Sequence, residues 1–225
     1  MRPRRGRPMT AWSLGPGMAA YRDGVTVICE LAARFSDDQW AAPTPCHDWR
    51  AADVAGHLRC MADDYHEYLD DAPDSRLARL MATGFPAATL ARKLARQNAA
   101  ELAELPDVPA AEHIAAFAES ARSYAARVPP LWNAPHHYYR STVVTVGAMA
   151  GVACAEWNVH AWDLARSLGV HYRPADPEIV FEGWWEGTPQ ARPDEAAGLL
   201  VAAPVEGDTW ETLLLMFGRD PGWGA

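Results

Sequence analysis

Glu156 and His160 stand four residues apart in the stretch GVACAEWNVHAWDLARSLG, which covers residues 151–169. With 3.6 residues per turn, this spacing places both side chains on one face of a helix, where they can reach a common point. Carboxylate and imidazole are ligands that Zn²⁺ and related divalent ions accept. Such a pair is more often simply hydrogen-bonded or solvated. Here the surrounding small and apolar residues indicate that both groups face an interior, where a buried glutamate needs a partner.

A metal site needs a third ligand, and His57 is the candidate. It lies two turns into a helix predicted from about Ala51 to Asp70, on the apolar side that also carries Val54 and Leu58. A lone histidine on an apolar face is more often a hydrogen-bonded core residue than a ligand. From the residues alone, both interpretations of His57 stay open.

Three further residues are candidates for chemistry at such a centre. Asp163, one turn beyond His160, could accept a hydrogen bond from a ligand imidazole or be a carboxylate on the helix surface. Arg219 could hold a carboxylate of a thiol or substrate bidentately, and a plain salt bridge is the alternative. Cys46 has no neighbour in sequence that would lower its pKa, so a packing role is favoured. We therefore count Asp163 and Arg219 as candidate catalytic residues, and Arg219 also as a candidate for binding the cosubstrate.

Charge and composition exclude several classes of protein. The 225 residues carry a formal net charge of −9, which argues against nucleic acid as a partner, because nucleic-acid-binding proteins normally carry a basic stripe. The longest uncharged stretch, residues 141–155, is too short to span a membrane. The basic opening MRPRRGRP lacks the apolar core of a signal peptide, and the four cysteines form no C-x-x-C pair. We expect a cytoplasmic protein with reduced thiols, as a monomer or a homodimer.

Helical periodicity predicts a mainly α protein. Helices are expected at about residues 17–35, 51–70, 86–105, 110–128 and 142–168, with Gly169 ending the last one. The aromatic segment 129–139 is predicted to be an irregular loop, either a wall or lid for a substrate or a plug for one end of the bundle. After Gly169 we expect a short helix, an irregular segment EGWWEG, a strand over GLLVAAPV and a last helix that begins at Asp208.

These elements divide the chain into three parts. Residues 1–16 are expected to be a disordered tail or a mis-assigned start, since Met9 and Met18 are alternative first residues. Residues 17–169 would form the helical bundle. Residues 170–225 would form a small α+β C-terminal extension packed on it.

Three motifs in this order resemble one known family. They are PTPCHDW followed by DVAGHL at residues 43–58, EWNVHAWDLA at residues 156–165, and FGRDP at residues 217–221. Together they resemble the mycothiol-dependent maleylpyruvate isomerase-like proteins of the DinB-like superfamily, over about residues 17–221. The resemblance implies a DinB-like four-helix bundle that holds a divalent metal ion, zinc or another, on His57, Glu156 and His160.

The resemblance also implies a function. Mycothiol, a low-molecular-weight thiol, would bind the metal as a thiolate, since a metal-bound thiol is deprotonated. The thiolate would attack an electrophilic small molecule and either leave again, giving cis–trans isomerisation, or stay on the product, giving S-transfer. The C-terminal part is short beside that of the isomerase, which argues against maleylpyruvate itself as substrate. Two other functions stay open: a non-enzymatic metal-binding bundle, and a metal-dependent hydrolase with Asp64 or Asp163 as general base.

Overall fold

The computed structural model describes residues 12–70, 87–139, 142–188 and 207–224, which form a mainly helical fold. The helices are α1 (Leu14–Ala32), α2 (Ala51–Leu69), α3 (Ala87–Glu104), α4 (Ala110–Arg127), α5 (Val146–Ser167), α6 (Pro177–Gly187) and α7 (Thr209–Met216). Strands β1 (Pro135–Tyr139) and β2 (Thr142–Thr145) pair antiparallel. Two short 3₁₀ helices cover Asp37–Ala41 and Pro129–Leu131.

Helix α5 is the centre of the molecule. All but four of its 22 residues are buried, and it packs against α1, α2 and α6. A helix that is buried around its whole circumference belongs to the interior of a bundle. Its N-terminus is capped by Thr145, whose hydroxyl accepts a hydrogen bond from the Ala148 N–H at 3.0 Å. Its C-terminus is followed by Gly169 at φ +67°, as the sequence predicts.

Four helices, α1, α2, α4 and α5, enclose an aromatic core. Tyr21, Tyr65, Phe117, Tyr124 and Trp157 are all fully buried there and touch one another through stacked and edge-to-face contacts. Such rings bury large apolar areas and prefer these offset geometries. Helix α3 lies outside this core and packs on α2. The mainly α bundle expected from the sequence is confirmed.

Two predicted elements are wrong. The antiparallel pair of β1 and β2, called the hairpin below, lies where the sequence analysis expected an irregular loop and the start of a helix. The β-branched run TVVT favours a strand, so the helix begins only at Val146. The segment EGWWEG lies in α6 and is not irregular, because Val180 and Trp184, one turn apart, are both buried. The strand expected over GLLVAAPV and the connection at residues 71–84 lie outside the described residues.

Helix α1 begins at Leu14, three residues earlier than predicted, and Trp12 anchors it. Trp12 is only 5% exposed, its ring stacks on Trp132 at 5.7 Å, and its indole N–H donates to the Gly147 carbonyl at 2.9 Å. Trp132 thereby packs with Trp12 against the start of α5. Whether residues 129–139 act as a wall or lid for a substrate or as a plug stays a prediction. Residues 1–11 lie outside the described part.

The C-terminal segment packs on α5 and α6. The rings of Trp184 of α6 and Phe217 pack together, with their centroids 6.1 Å apart. The guanidinium of Arg166 of α5 donates a hydrogen bond to the Trp223 carbonyl. The four cysteines are free thiols. No helix among the described residues combines the length and the hydropathy that crossing a membrane requires. The division into a bundle and an extension at Gly169 stays a prediction.

Candidate metal centre

Helices α2 and α5 bring three potential ligands together. His57 comes from α2, and Glu156 and His160 come from α5. One ligand atom of each residue lies within 4.8 Å of the others. The two histidines are buried, at 5% and 3% exposure, and the side chain of Glu156 is 21% exposed. The structure thus brings the three residues expected from the sequence close together, at a position that is partly accessible to solvent through Glu156.

The donor set and its spacing fit a divalent cation. His160 Nε2 and Glu156 Oε2 are 3.6 Å apart. In a tetrahedral zinc site with bonds of about 2.1 Å, neighbouring donors lie roughly 3.4 Å apart. The rings of His57 and His160 meet nearly at right angles, with centroids 5.1 Å apart. These separations lie close to those that one shared ion requires.

Asp163 fixes which nitrogen of His160 carries a proton. Its Oδ2 lies 2.9 Å from His160 Nδ1, and a carboxylate only accepts, so Nδ1 carries hydrogen and donates. In a neutral ring, Nε2 on the side of Glu156 then keeps its lone pair, as a metal ligand requires. Burial lowers the pKa of His160, but its hydrogen bonds with Asp163 and Glu156 raise it more, so the net pKa lies above its ordinary value.

Arg219, from the segment after α7, holds Asp163 in place. Its Nε donates to Asp163 Oδ1 at 3.1 Å and its Nη2 donates to Oδ2 at 2.8 Å. Asp163 is fully buried and the side chain of Arg219 is 10% exposed. Burial raises the pKa of Asp163, but the guanidinium and the hydrogen bond from His160 lower it more, so the carboxylate stays ionised. Nη1 of Arg219 donates to the Phe217 carbonyl at 2.6 Å.

Trp49 is a residue of the centre that the sequence analysis missed. Its indole lies edge-on to the imidazole of His57, with ring centroids 4.8 Å apart. It lies nearly parallel to the imidazole of His160, with ring centroids 6.2 Å apart. It therefore covers both imidazoles on one side. Its place in the motif PTPCHDW, close before the helix that carries His57, was the available signal, but nothing in the local pattern shows which way the indole turns.

A cavity of about 570 Å³ opens beside the three candidate ligands, and Trp49, Cys46 and Arg219 also line it. This volume lies within the range of small-molecule sites. Burial raises the pKa of the Cys46 thiol to about 12, which disfavours a thiolate nucleophile at neutral pH. Asp64, one of the two bases considered for a hydrolase, is not among the described residues that line the cavity.

Comparison with known proteins identifies one family. The family model described as the mycothiol maleylpyruvate isomerase N-terminal domain matches residues 21–165. This range contains the three candidate ligands and Asp163, and it ends before Arg219. No curated protein and no solved structure matched the chain significantly. Since the match covers well over half of the sequence, the chain belongs to the family of the mycothiol maleylpyruvate isomerase N-terminal domain.

Proposed function

We propose that this protein is a divalent-metal enzyme, with zinc the preferred ion, that presents mycothiol as a thiolate to an electrophilic small molecule. The observation that carries the proposal is the convergence of His57, Glu156 and His160 at the edge of the 570 Å³ cavity. We choose mycothiol as the thiol because the chain belongs to the family of the mycothiol maleylpyruvate isomerase N-terminal domain. The product is either an isomer of the electrophile or its S-conjugate.

His57, Glu156 and His160 would hold the metal ion. Two histidines and one carboxylate are the protein ligands of several catalytic zinc sites, which keep a position for an exogenous ligand. An ion bound there supplies one piece of chemistry, since it lowers the pKa of a bound thiol so that a thiolate exists at neutral pH.

The protein's own residues orient that centre. Asp163 keeps His160 in the tautomer whose Nε2 is a ligand, and Arg219 keeps the Asp163 carboxylate fixed and ionised. Trp49 covers both imidazoles and restricts the access of water to them. Of the two roles that the sequence left open for Arg219, we therefore favour the salt bridge, which positions Asp163, over direct contact with a carboxylate of the thiol or substrate.

The reaction needs only the thiol and the electrophile. The thiolate sulfur forms a bond to the electrophilic carbon of a conjugated double bond, and the π electron pair moves onto the adjoining carbonyl. For S-transfer, the resulting enolate takes up the proton that the thiol lost. For isomerisation, rotation about the former double bond precedes expulsion of the thiolate.

Two observations favour this function over the alternatives. A hydrolase would need a general base, but both oxygens of Asp163 accept hydrogen bonds from Arg219 or His160, and Asp64 does not line the described cavity. A bundle that only binds metal has no need of the adjacent cavity, whose volume suits a thiol and a second substrate.

The test is metal content followed by thiol titration. Protein purified without chelator is expected to contain about one zinc ion per chain by the ligand count, and His160→Ala is expected to lose it. His113→Ala is the matched control, because His113 is also buried but contacts Arg59 away from the centre. Titration of the zinc-loaded protein with mycothiol should release protons, since only the thiolate binds.

Each result separates the candidate functions. Zinc without thiol binding would favour a hydrolase or a non-enzymatic bundle. If wild type and both variants all lacked metal after incubation with zinc, the proposed centre would be wrong.

A further inference from the structure

The cavity beside the metal centre has a polar end and an apolar end. At the polar end, the lining comes from Cys46 and His47 of the loop before α2 and from Gly218 and Arg219 of the C-terminal segment, with the rings of Trp49 and Phe217 beside them. At the apolar end, the lining comes from Met61, Tyr65 and Tyr68 of α2, Met149 and Val152 of α5, and Leu94 of α3. The candidate ligands lie between the two ends along both α2 and α5.

Helical spacing makes the apolar end long. On α2, Met61, Tyr65 and Tyr68 follow His57 at intervals that keep one face. On α5, Met149 precedes Glu156 by two turns on the same face. At 1.5 Å per residue, these rows extend about 16 Å from His57 and about 10 Å from Glu156. Because both rows line one cavity, they form facing walls that lead away from the ligands.

The apolar wall from α2 carries two aromatic rings at its far end. Tyr65 is 1% exposed, and its ring meets that of Tyr68 edge-to-face at 5.5 Å. The ring centroid of Tyr68 in turn lies 6.4 Å from that of His136 in the hairpin. Asn98 of α3 is the one amide side chain among the described lining residues. Such a surface favours an apolar or aromatic body and offers few polar contacts.

The described residues that line the cavity provide no lysine or arginine without an acidic partner. Among the described lining residues, Arg219 is the single lysine or arginine, and its charge is neutralised by the buried Asp163. A carboxylate placed along the apolar walls would lose hydration without gaining a cationic partner among the described lining residues.

From these observations we infer that the electrophile is an elongated, uncharged molecule. Its aliphatic or aromatic body lies between α2 and α5, and its reactive carbon lies at the ligand end. The polar end takes the hydrophilic part of the thiol. This inference rests on the proposed function, because it names the substrate class of the same site.

The first experiment uses N-alkylacrylamides with mycothiol and the zinc-loaded protein. The thiol adds across the double bond, so that sulfur bonds to the terminal carbon and the proton ends on the neighbouring carbon. From N-ethyl- to N-hexylacrylamide, kcat/KM should rise by about two- to four-fold per methylene, the effect of burying apolar surface. 6-Acrylamidohexanoate, with the same reactive group and a terminal carboxylate, should react at least ten-fold more slowly than the hexyl compound. Equal rates along the series, or preference for the carboxylate, would overturn the inference.

The second experiment removes parts of the wall. Met61→Ala and Met149→Ala should flatten the dependence on chain length. Met18→Ala should leave it unchanged, since Met18 is an equally buried methionine of α1 outside the cavity. Should the truncated variants fail to fold, Val152→Lys serves instead, because this half-buried residue lines the cavity and a lysine there should raise the rate with 6-acrylamidohexanoate. An unchanged preference in folded variants would count against the assignment.

A third measurement separates the inference from the proposed function. N-Alkylpropanamides cannot react, so calorimetry measures only their binding. If they bind more tightly with increasing length but no acrylamide is converted, the cavity assignment stands and thiol transfer fails. If acrylamides are converted but neither rate nor binding depends on length, thiol transfer stands and the cavity assignment fails.

Discussion

At the scale of single residues, the candidate ligand His160 depends on two groups that are not ligands. Asp163 accepts from its Nδ1, and Arg219 binds both oxygens of Asp163. The chain His160–Asp163–Arg219 is buried almost throughout. In such an environment hydrogen bonds are strong and unpaired groups are costly, so the orientation of the imidazole is rigidly determined.

Asp163→Asn should therefore weaken metal binding without removing a ligand. The amide can present its NH₂ to Nδ1, which favours the wrong tautomer, so we expect metal affinity to fall about 10- to 100-fold. Competition with a chromogenic zinc chelator measures this. Asp208→Asn is the control, because Asp208 forms a similar pair with Arg173 at 2.7 Å, but on the surface. Equal affinities for wild type and Asp163→Asn would refute the orienting role.

A second residue-scale prediction concerns Cys46. Burial raises the pKa of its thiol from 9.0 to about 12, so at pH 8 its thiolate fraction is about a thousand-fold below that of an unperturbed cysteine. Labelling with iodoacetamide should be correspondingly slow and should accelerate about ten-fold per pH unit while the protein stays folded, as thiolate population dictates. Mass spectrometry of the Cys46 peptide gives the rate, and protein in urea provides the reference. Rapid labelling of the native protein at pH 8 would contradict the assignment.

At the scale of helices, α5 provides two of the three candidate metal ligands and packs closely against α6. A Cβ built at Gly151 would lie 2.3 Å from the backbone oxygen of Gly183. The two helices therefore touch through their backbones at this point. That contact lies five residues before Glu156, so a displaced α6 would also disturb the start of the ligand-bearing segment.

Gly151→Ala should destabilise the fold. The clash involves backbone, which cannot rotate away, so the cost of overpacking lies toward the upper end of about 1–3 kcal/mol and exceeds the roughly 1 kcal/mol gained in helix propensity. Urea unfolding followed by circular dichroism measures the free energy of unfolding. In Gly15→Ala, a Cβ meets nothing within 4 Å on the exposed start of α1, so this control should be neutral or slightly stabilising. A stable Gly151→Ala variant would mean that α6 packs less closely than described.

At the scale of the whole molecule, distant segments complete the bundle. Trp12 joins the start of α1 to Gly147 of α5 and to Trp132 of the connection before the hairpin. Arg219 joins the C-terminal segment to Asp163 across 56 positions in sequence. Residues near both ends of the described chain thus hold α5 in place.

Trp12→Ala should cost about 3–5 kcal/mol of unfolding free energy, as expected for removing a buried tryptophan. Trp12→Phe should cost less, because it keeps a stacked ring and loses the hydrogen bond to Gly147 and only part of the buried ring. Thermal and urea unfolding test this order. Leu14→Ala, two residues further on and 39% exposed, should change stability by no more than about 0.5 kcal/mol. Similar stabilities of Trp12→Ala and Leu14→Ala would show that the anchor contributes little.

The sequence by itself determined the helices and the candidate ligands. Periodicity is a local property, so it located the central parts of α1 to α5 and placed Glu156 and His160 on one face. The ordered motifs added His57, which no local pattern could join to the other two. Helix packing then brought these residues within 4.8 Å of one another.

Only the tertiary structure decided what surrounds those ligands. The pairing of Arg219 with Asp163, the position of Trp49 over both imidazoles and the two-ended cavity all depend on contacts between segments far apart in sequence. The same holds for α6, where burial of Trp184 against neighbouring helices overrides the low helix propensity of its glycines. Local spacing fixes which face of a helix a side chain lies on, and long-range packing decides what that face meets.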